Sequence, residues 1–177
     1  MSNRAEMTRQ KLLLSAREVA VESGVPGLTI EAVAKHAGVS KGAVLYHFPS
    51  KDQLLSSLLA TLLEGFEQAV QAEAVSTGVG WLRAYLRASF PGQKAGYLEE
   101  TRTIFAIVAV RPELSEVVRE AFRLWHERAR EGEVDPTTAH LIRAAIDGLW
   151  YNEMFGLSLE AVELERLLLH LESLLPE

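Results

Sequence analysis

No cysteine occurs among the 177 residues, which removes disulfide staples, thiolate metal sites and cysteine nucleophiles at once. Nor does any run approach the roughly 18 to 20 consecutive apolar residues that a membrane-crossing helix needs, although 48% of the chain is hydrophobic. The opening residues, 1 to 6, carry no apolar stretch of the kind a secretory signal uses, so the cytoplasm is the expected compartment. Strand-like alternation is sustained nowhere, and there is no internal repeat or low-complexity stretch. Proline is sparse, six in all, and sits with glycine between helical stretches. The expected class is all-α with about nine helices.

Catalytic signatures are missing too. The five histidines (His36, His47, His126, His140 and His170) show no H-E-x-x-H spacing, and no G-x-S-x-G occurs. Gly78-Val79-Gly80 has no preceding strand, so it does not read as a phosphate loop. Glu99 and Glu100 are adjacent and diverge by about 100° on a helix, a poor geometry for paired acid–base work. The expectation is a protein that is not an enzyme and needs no metal or cofactor.

Positive charge is in short supply overall, with a formal net charge of −6, but its distribution is uneven. Residues 1–50 hold six Lys or Arg against four Asp or Glu, whereas residues 51–177 hold twelve against twenty. The first fifty residues therefore carry the basic balance, through Arg4, Arg9, Lys11, Arg17, Lys35 and Lys41, and are the part of the chain suited to a polyanion such as a phosphate backbone.

What is present is concentrated in residues 29–51. Thr29 is placed to cap a helix whose Ile30, Val33, Ala34 and Ala37 recur at helical spacing. Gly38 follows, and glycine tolerates the left-handed backbone of a sharp turn. Ser40 caps a second helix, about Lys41 to Phe48, with Val44 and Phe48 pointing inward, and Pro49 stops it. Ser50, with Gln53 three residues later, opens the next helix as a capping box. Small contact residue, turn glycine and apolar anchor are the requirements of a helix-turn-helix. Lys41, Gly42, Ala43, Leu45, Tyr46 and His47 are left on the outer surface. The competing reading is an ordinary helical hairpin, which does not account for that coincidence.

Glycine and proline divide the rest. The first helix runs from about Ala5 to Ser23. A long helix from Lys51 to about Val75 carries Leu54, Leu58, Leu62 and Phe66 on one side and links head to body. Thr77-Gly78-Val79-Gly80 breaks it. Helices over about Trp81–Phe90, Tyr97–Ala109 and Pro112–Arg130 follow, separated by Pro91-Gly92, Arg111-Pro112 and Gly132. Asp135-Pro136 opens a helix to about Phe155. Gly156 ends it, and Ser158 is the expected cap of the last helix, to about Leu175. The segment Ile104 to Val110 is apolar all round, which predicts a helix buried on every side.

The chain resembles the TetR family of bacterial transcriptional regulators. The resemblance is carried by Thr8-Arg9, Leu12-Leu13-x-x-Ala16, Gly24, Thr29-x-x-x-Val33-Ala34-x-x-Ala37-Gly38-Val39-Ser40-Lys41-Gly42 and Leu45-Tyr46-His47-Phe48-Pro49-Ser50-Lys51, then Leu54-Leu55. It is specific over about residues 8–60 and generic beyond. Ala20 stands where the family usually has a bulky aromatic, and Leu45 where a ring is frequent. The resemblance implies a DNA-binding domain over 1–50 and a ligand-binding and dimerisation domain over 51–177, with 51–75 as connecting helix. It implies phosphate contacts from Thr29 and Lys51, backbone-reaching roles for Ser40, Tyr46 and His47, and base-edge proximity for Lys41, Gly42 and Ala43. Lys41 can donate to guanine, and the Ala43 methyl can meet a thymine methyl.

The last two helices carry too much apolar surface for one flank: Leu164, Leu167, Leu168, Leu171, Leu174 and Leu175 make a wide face, and Ala144, Ala145 and Gly148 on the preceding helix let another helix approach closely. A four-helix bundle with a symmetry mate would bury both, and burial inside one subunit is the alternative. TetR-like proteins pair through these helices, so a homodimer is expected, and with it a pseudo-palindromic operator of double-stranded DNA.

Most of the aromatic residues, together with Met154, lie in the acidic part. Single aromatics there usually fill a core; several together are compatible with a pocket. The expected lining is Phe66, Tyr85, Phe105, Trp125 and Trp150, with Arg102 as a charge at the mouth. In TetR-like proteins a small molecule held by the body alters head spacing. The functional expectation is therefore a repressor released by a small apolar or aromatic effector. The alternative keeps the head but makes the body bind a protein, as an adaptor or activator.

Overall fold

The computed structural model describes residues 3–91, 97–131 and 134–176. Among them are nine α-helices and no strand: α1 (Asn3–Gly27), α2 (Ile30–Ala37), α3 (Lys41–His47), α4 (Lys51–Thr77), α5 (Trp81–Ser89), α6 (Tyr97–Val110), α7 (Ser115–Arg130), α8 (Pro136–Met154) and α9 (Ala161–Ser173). No helix among the described residues is long and apolar enough to cross a membrane. The separators Gly92 and Gly132 lie outside the described residues.

Helix boundaries follow local chemistry. Gly24, at φ 69° and ψ 171°, interrupts α1 one residue past the expected end at Ser23. The Ala32 amide donates to Thr29 Oγ1 at 3.0 Å, the Ala43 amide to Ser40 Oγ at 3.2 Å, and the Gln53 amide to Ser50 Oγ at 3.1 Å. Asp135 accepts from the amides of Thr137 and Thr138, with Pro136 at the first helical position. Each cap satisfies amide hydrogens that the first turn cannot pair internally.

Three expectations need correction. Ser158 does not cap α9. Glu160 holds that position, and the Glu163 carboxylate accepts from its amide at 3.1 Å. A glutamate three residues into a helix reaches back to the cap amide, and Ser158 lies too early to do so. Pro112 opens a short 3-10 turn, Pro112–Leu114, before α7 proper begins at Ser115. The segment Ile104 to Val110 is not buried on every side: Ile107 is sealed, but Phe105 is 44% and Val110 41% exposed. Burial needs a neighbour on each side, and among the described residues none covers Phe105 and Val110.

The chain forms two compact units. The first comprises Met1–Leu63 with Arg102–Val117, and the second Glu64–Thr101 with Val118–Glu177. Helices α4, α6 and α7 each contribute residues to both units. In the first unit α1, α2 and α3 pack around Leu12, Ala16, Leu28, Val33, Val44 and Phe48, and α4 adds Leu54, Leu55, Leu58 and Leu59; all are essentially inaccessible. The Arg9 guanidinium lies 5.4 Å from the Phe48 ring centroid and donates to Ser57 Oγ at 3.3 Å. It thereby ties α1 to both α3 and α4.

In the second unit α5 packs against α8, with Leu82, Tyr85, Leu86, Ile142, Ile146 and Leu149 buried. Arg83 donates to the carbonyls of Leu175 (3.1 Å) and Pro176 (2.9 Å). Arg87 donates to Glu172 at 2.5 Å. Both arginines on α5 thus fasten the C-terminal end of α9, where free carbonyls favour cations.

Candidate nucleic-acid interface

The turn between α2 and α3 is built on Gly38, at φ 67° and ψ 36°. Its amide and that of Val39 close the turn onto Lys35 and Ala34. Val44 then anchors α3 in the core, because it is the one fully buried residue of that seven-residue helix. With one face pinned, Lys41, Gly42 and Tyr46 must face outward, and all three are exposed. Tyr46 is 79% exposed, its ring packed edge-on against His47 at 5.1 Å. A tyrosine held so far into solvent contributes little to the core. A Cβ on Gly42 would meet nothing closer than Ser40 Oγ at 3.8 Å, so packing does not demand glycine there either.

Thr29 is exposed at the start of α2, and Lys51 is half-buried at the start of α4, its Nζ 3.5 Å from the Val25 carbonyl. Ser40 is exposed, and Ala43 and His47 are half-buried. The eight residues expected at the interface therefore occupy α3 and the starts of α2, α3 and α4 within one unit.

Two charged partners escaped the sequence reading. Glu31, in the first turn of α2, lies 2.5 Å from Lys41 Nζ, and both side chains are more than half exposed. The hydrogen bond from Lys41 holds the Glu31 carboxyl below the usual carboxylate range. Arg111, just past α6, donates to Asp52 at 2.6 Å, beside Lys51. Only the three-dimensional turn brings position 31 to position 41, and only the fold brings 111 to 52.

The aromatic residues of the second unit are partly assembled. Phe66 lies 5.7 Å from Tyr85 and 4.6 Å from Trp125, Tyr85 stacks on Trp81 at 5.1 Å, and Phe122 lies 5.1 Å from Trp125. Burial pushes the Tyr85 phenol upward, reinforced by the nearby Asp147 charge. The buried Trp81 indole N–H has no hydrogen-bond partner among the described residues, an unusual cost for a buried donor. Of the expected lining residues, Phe66, Tyr85 and Trp125 come together. Trp150 is half-buried on α8, and Arg102 and Phe105 belong to the first unit and are exposed. Trp81 and Phe122 complete the cluster; the i,i+4 spacing of Trp81 with Tyr85 and the i,i+3 spacing of Phe122 with Trp125 were the available signals. Among the described residues no group of three or more His, Cys, Asp or Glu is arranged to hold a metal.

Known proteins match both parts of the chain. Residues 12–58 match the model for bacterial regulatory proteins of the tetR family, and residues 79–176 match the tetracyclin repressor-like C-terminal domain. The uncharacterized HTH-type transcriptional regulator TtgW of Pseudomonas putida is 44% identical over 57 residues, 32% of this chain and 42% of that protein. The chain spans 42%, 27% and 39% of the length of three such regulators, TtgW, SrpR of Pseudomonas putida and AcrR of Shigella flexneri. The HTH-type regulator BetI of Stenotrophomonas maltophilia is 27% identical across 80% of this chain and 79% of its own. The crystal structure of the multidrug binding protein EbrR with malachite green superposes with a TM-score of 0.68 at 26% identity, over 96% of this chain and 98% of that one. With its helix-turn-helix and its body each matched, the chain belongs to the TetR family of bacterial transcriptional regulators.

Proposed function

We propose that the protein is a ligand-responsive repressor that binds a pseudo-palindromic operator as a homodimer and is released by a small apolar or aromatic effector. The observation that carries the DNA-binding role is the tip of α3: an exposed Lys41-Gly42 and a solvent-held Tyr46 on a helix pinned by Val44. Thr29, Ser40 and Lys51 sit at the starts of three helices, where amide hydrogens and the helix dipole favour phosphate. Residues 1–50 then act as the DNA-binding domain, and 51–177 as the effector and dimerisation domain.

Pairing is supported by apolar surface that one chain leaves open. Leu141, Tyr151, Phe155, Leu157, Val162 and Leu169, on or beside α8 and α9, are each more than half exposed. Ala144 and Gly148 on α8 are exposed, and Ala145 is half-buried. A Cβ at Gly148 would meet nothing within 4 Å. Helical glycine costs about 1 kcal/mol against alanine, and close approach of a second copy explains its presence. Leu164, Leu167 and Leu168 are half-buried and remain available to that copy, whereas Leu171 and Leu175 are already buried within the chain and shape the face from beneath.

The effector reading rests on the Phe66–Tyr85–Trp125–Trp81 cluster and the orphaned Trp81 N–H, which together suit a flat apolar molecule bearing one acceptor. Helices α4 and α6 both pass from this unit into the first, and Arg111 past α6 grips Asp52 at the start of α4. A ligand that favours one arrangement of these helices changes the head only by its differential affinity for the two states. Selection from random DNA followed by titration with malachite green, monitored by tryptophan fluorescence and DNA release, tests the reading. Quenching with release supports it; DNA binding with neither response to any apolar probe favours a protein partner instead.

A further inference from the structure

Away from the DNA-binding tip and the aromatic cluster, the second unit contains a basic cleft within an acidic body. A small cleft between α7 and α8, with a cavity volume of about 10 Å³, is lined by His126, Ala129, Arg130, Ala139, His140 and Arg143. Four of the six are cationic or can become so. Elsewhere in the unit Arg87, Arg123 and Arg128 each pair with a glutamate. Among the described residues no carboxylate reaches ion-pair distance of Arg130, His140 or Arg143.

The groups around the cleft instead repel one another. Arg143 Nη1 lies 2.6 Å from His126 Nε2, a donor spent on a neutral ring. Burial, then the charges of Arg143, His140 and Arg130, pull the His126 pKa down to about 4. From α8, Asp147 is close enough for Arg143 to stabilise its charge, and burial outweighs that and pushes its carboxyl upward. From α7, Glu127 is engaged by Arg123. The helix dipole accounts for Arg130 at the end of α7. It does not account for His140 and Arg143 converging from α8.

We propose that this cleft binds a small oxyanion, a carboxylate or phosphate group, with Arg130, His140 and Arg143 supplying charge and N–H donors. An oxyanion matches the forked donors of two guanidinium groups, and the cleft is smaller than the usual pocket for a drug-sized molecule. The site differs in composition from the aromatic cluster: the two share no lining residue, and Phe122 stands edge-on to His126 at 6.2 Å.

The test uses the full chain in phosphate, citrate or acetate against sodium chloride at matched ionic strength. Thermal unfolding should shift upward with oxyanion concentration, as binding to the folded state requires. The His126 and His140 ring signals in proton–carbon NMR spectra should move with saturation, while those of His36, His47 and His170 stay in place. The double variant Arg130→Gln/His140→Gln changes two exposed side chains and should fold normally, with apparent affinity reduced at least tenfold. A response to phosphate alone assigns a phosphate-type ligand, and one shared by the carboxylates assigns the wider class. Equal stabilisation by chloride, unchanged His126 and His140 signals, or an undiminished response in the double variant would overturn the proposal. None of these outcomes depends on DNA release, so its failure is distinct from failure of the repressor reading.

Discussion

Replacing Glu31 by glutamine should make the protein bind DNA more tightly and less selectively. Within the head Lys41 is held by Glu31 at 2.5 Å, so any phosphate or base acceptor must displace a carboxylate. The pair is largely exposed, and such pairs contribute little to folding, so the variant should unfold at nearly the wild-type temperature. Its effect on DNA is larger, because the balance of residues 1–50 rises from +2 to +3. One added phosphate contact per head steepens the salt dependence by about 0.9. Across a fourfold rise in salt that is an extra factor of about 3.5 per head, or about 12 for a dimer with two heads. Fluorescence anisotropy on operator and random duplexes between about 50 and 200 mM salt measures it. Random DNA should gain more than operator, narrowing the ratio between them. In a Lys41→Ala background the Glu31 substitution should have a much smaller effect, since the cycle removes the shared partner. Parallel log–log lines for wild type and Glu31→Gln would refute the argument.

Gly38→Ala should destabilise the protein by about 1–2 kcal/mol, the cost of a left-handed alanine, because an added Cβ meets no atom within 4 Å and the backbone alone is strained; chemical denaturation reads it. Gly42→Ala should leave stability unchanged or raised by up to about 1 kcal/mol, yet weaken operator binding by blocking close approach, so equal operator affinity would remove Gly42 from the interface. Arg111→Ala should cost about 0.5 kcal/mol of stability but reduce effector-driven DNA release, and full release in the variant would exclude the Arg111–Asp52 contact as a coupling element. The folded His126 pKa of about 4 lies below the ordinary value near 6.5. The unfolded chain therefore takes up the proton first, and stability should be full above about pH 6.5 and fall as pH drops towards 4. His126→Gln should flatten that fall in a urea-unfolding series, and an equally steep profile would contradict the assignment.

Much of the head is legible without a fold, because its decisive interactions are local. A cap spans three residues, a left-handed turn requires one glycine, and the Val44 anchor fixes by helical period which residues face out. Thr29, Gly38, Ser40 and Asp135 therefore behave as their sequence neighbourhoods dictate. The cap of α9 was misplaced because Ser158 and Glu160 are both competent residues, and backbone direction after Gly156 chooses between them.

Partners that meet only through the fold left little trace in the chain. Nothing local distinguishes Glu31 from a solvated helix charge, and nothing links Arg111 to Asp52 or Arg143 to His126. Nor does an apolar run reveal how many sides of its helix will find neighbours, as Ile104 to Val110 demonstrates. The sequence by itself determined the all-α class, most of the helix starts, the exposed tip of α3 and the family resemblance. Tertiary structure decided which aromatics meet, which charges pair and which basic groups are left facing one another. The reason is range: caps and periodicity act within one or two turns, whereas charge pairing and burial depend on residues tens of positions apart.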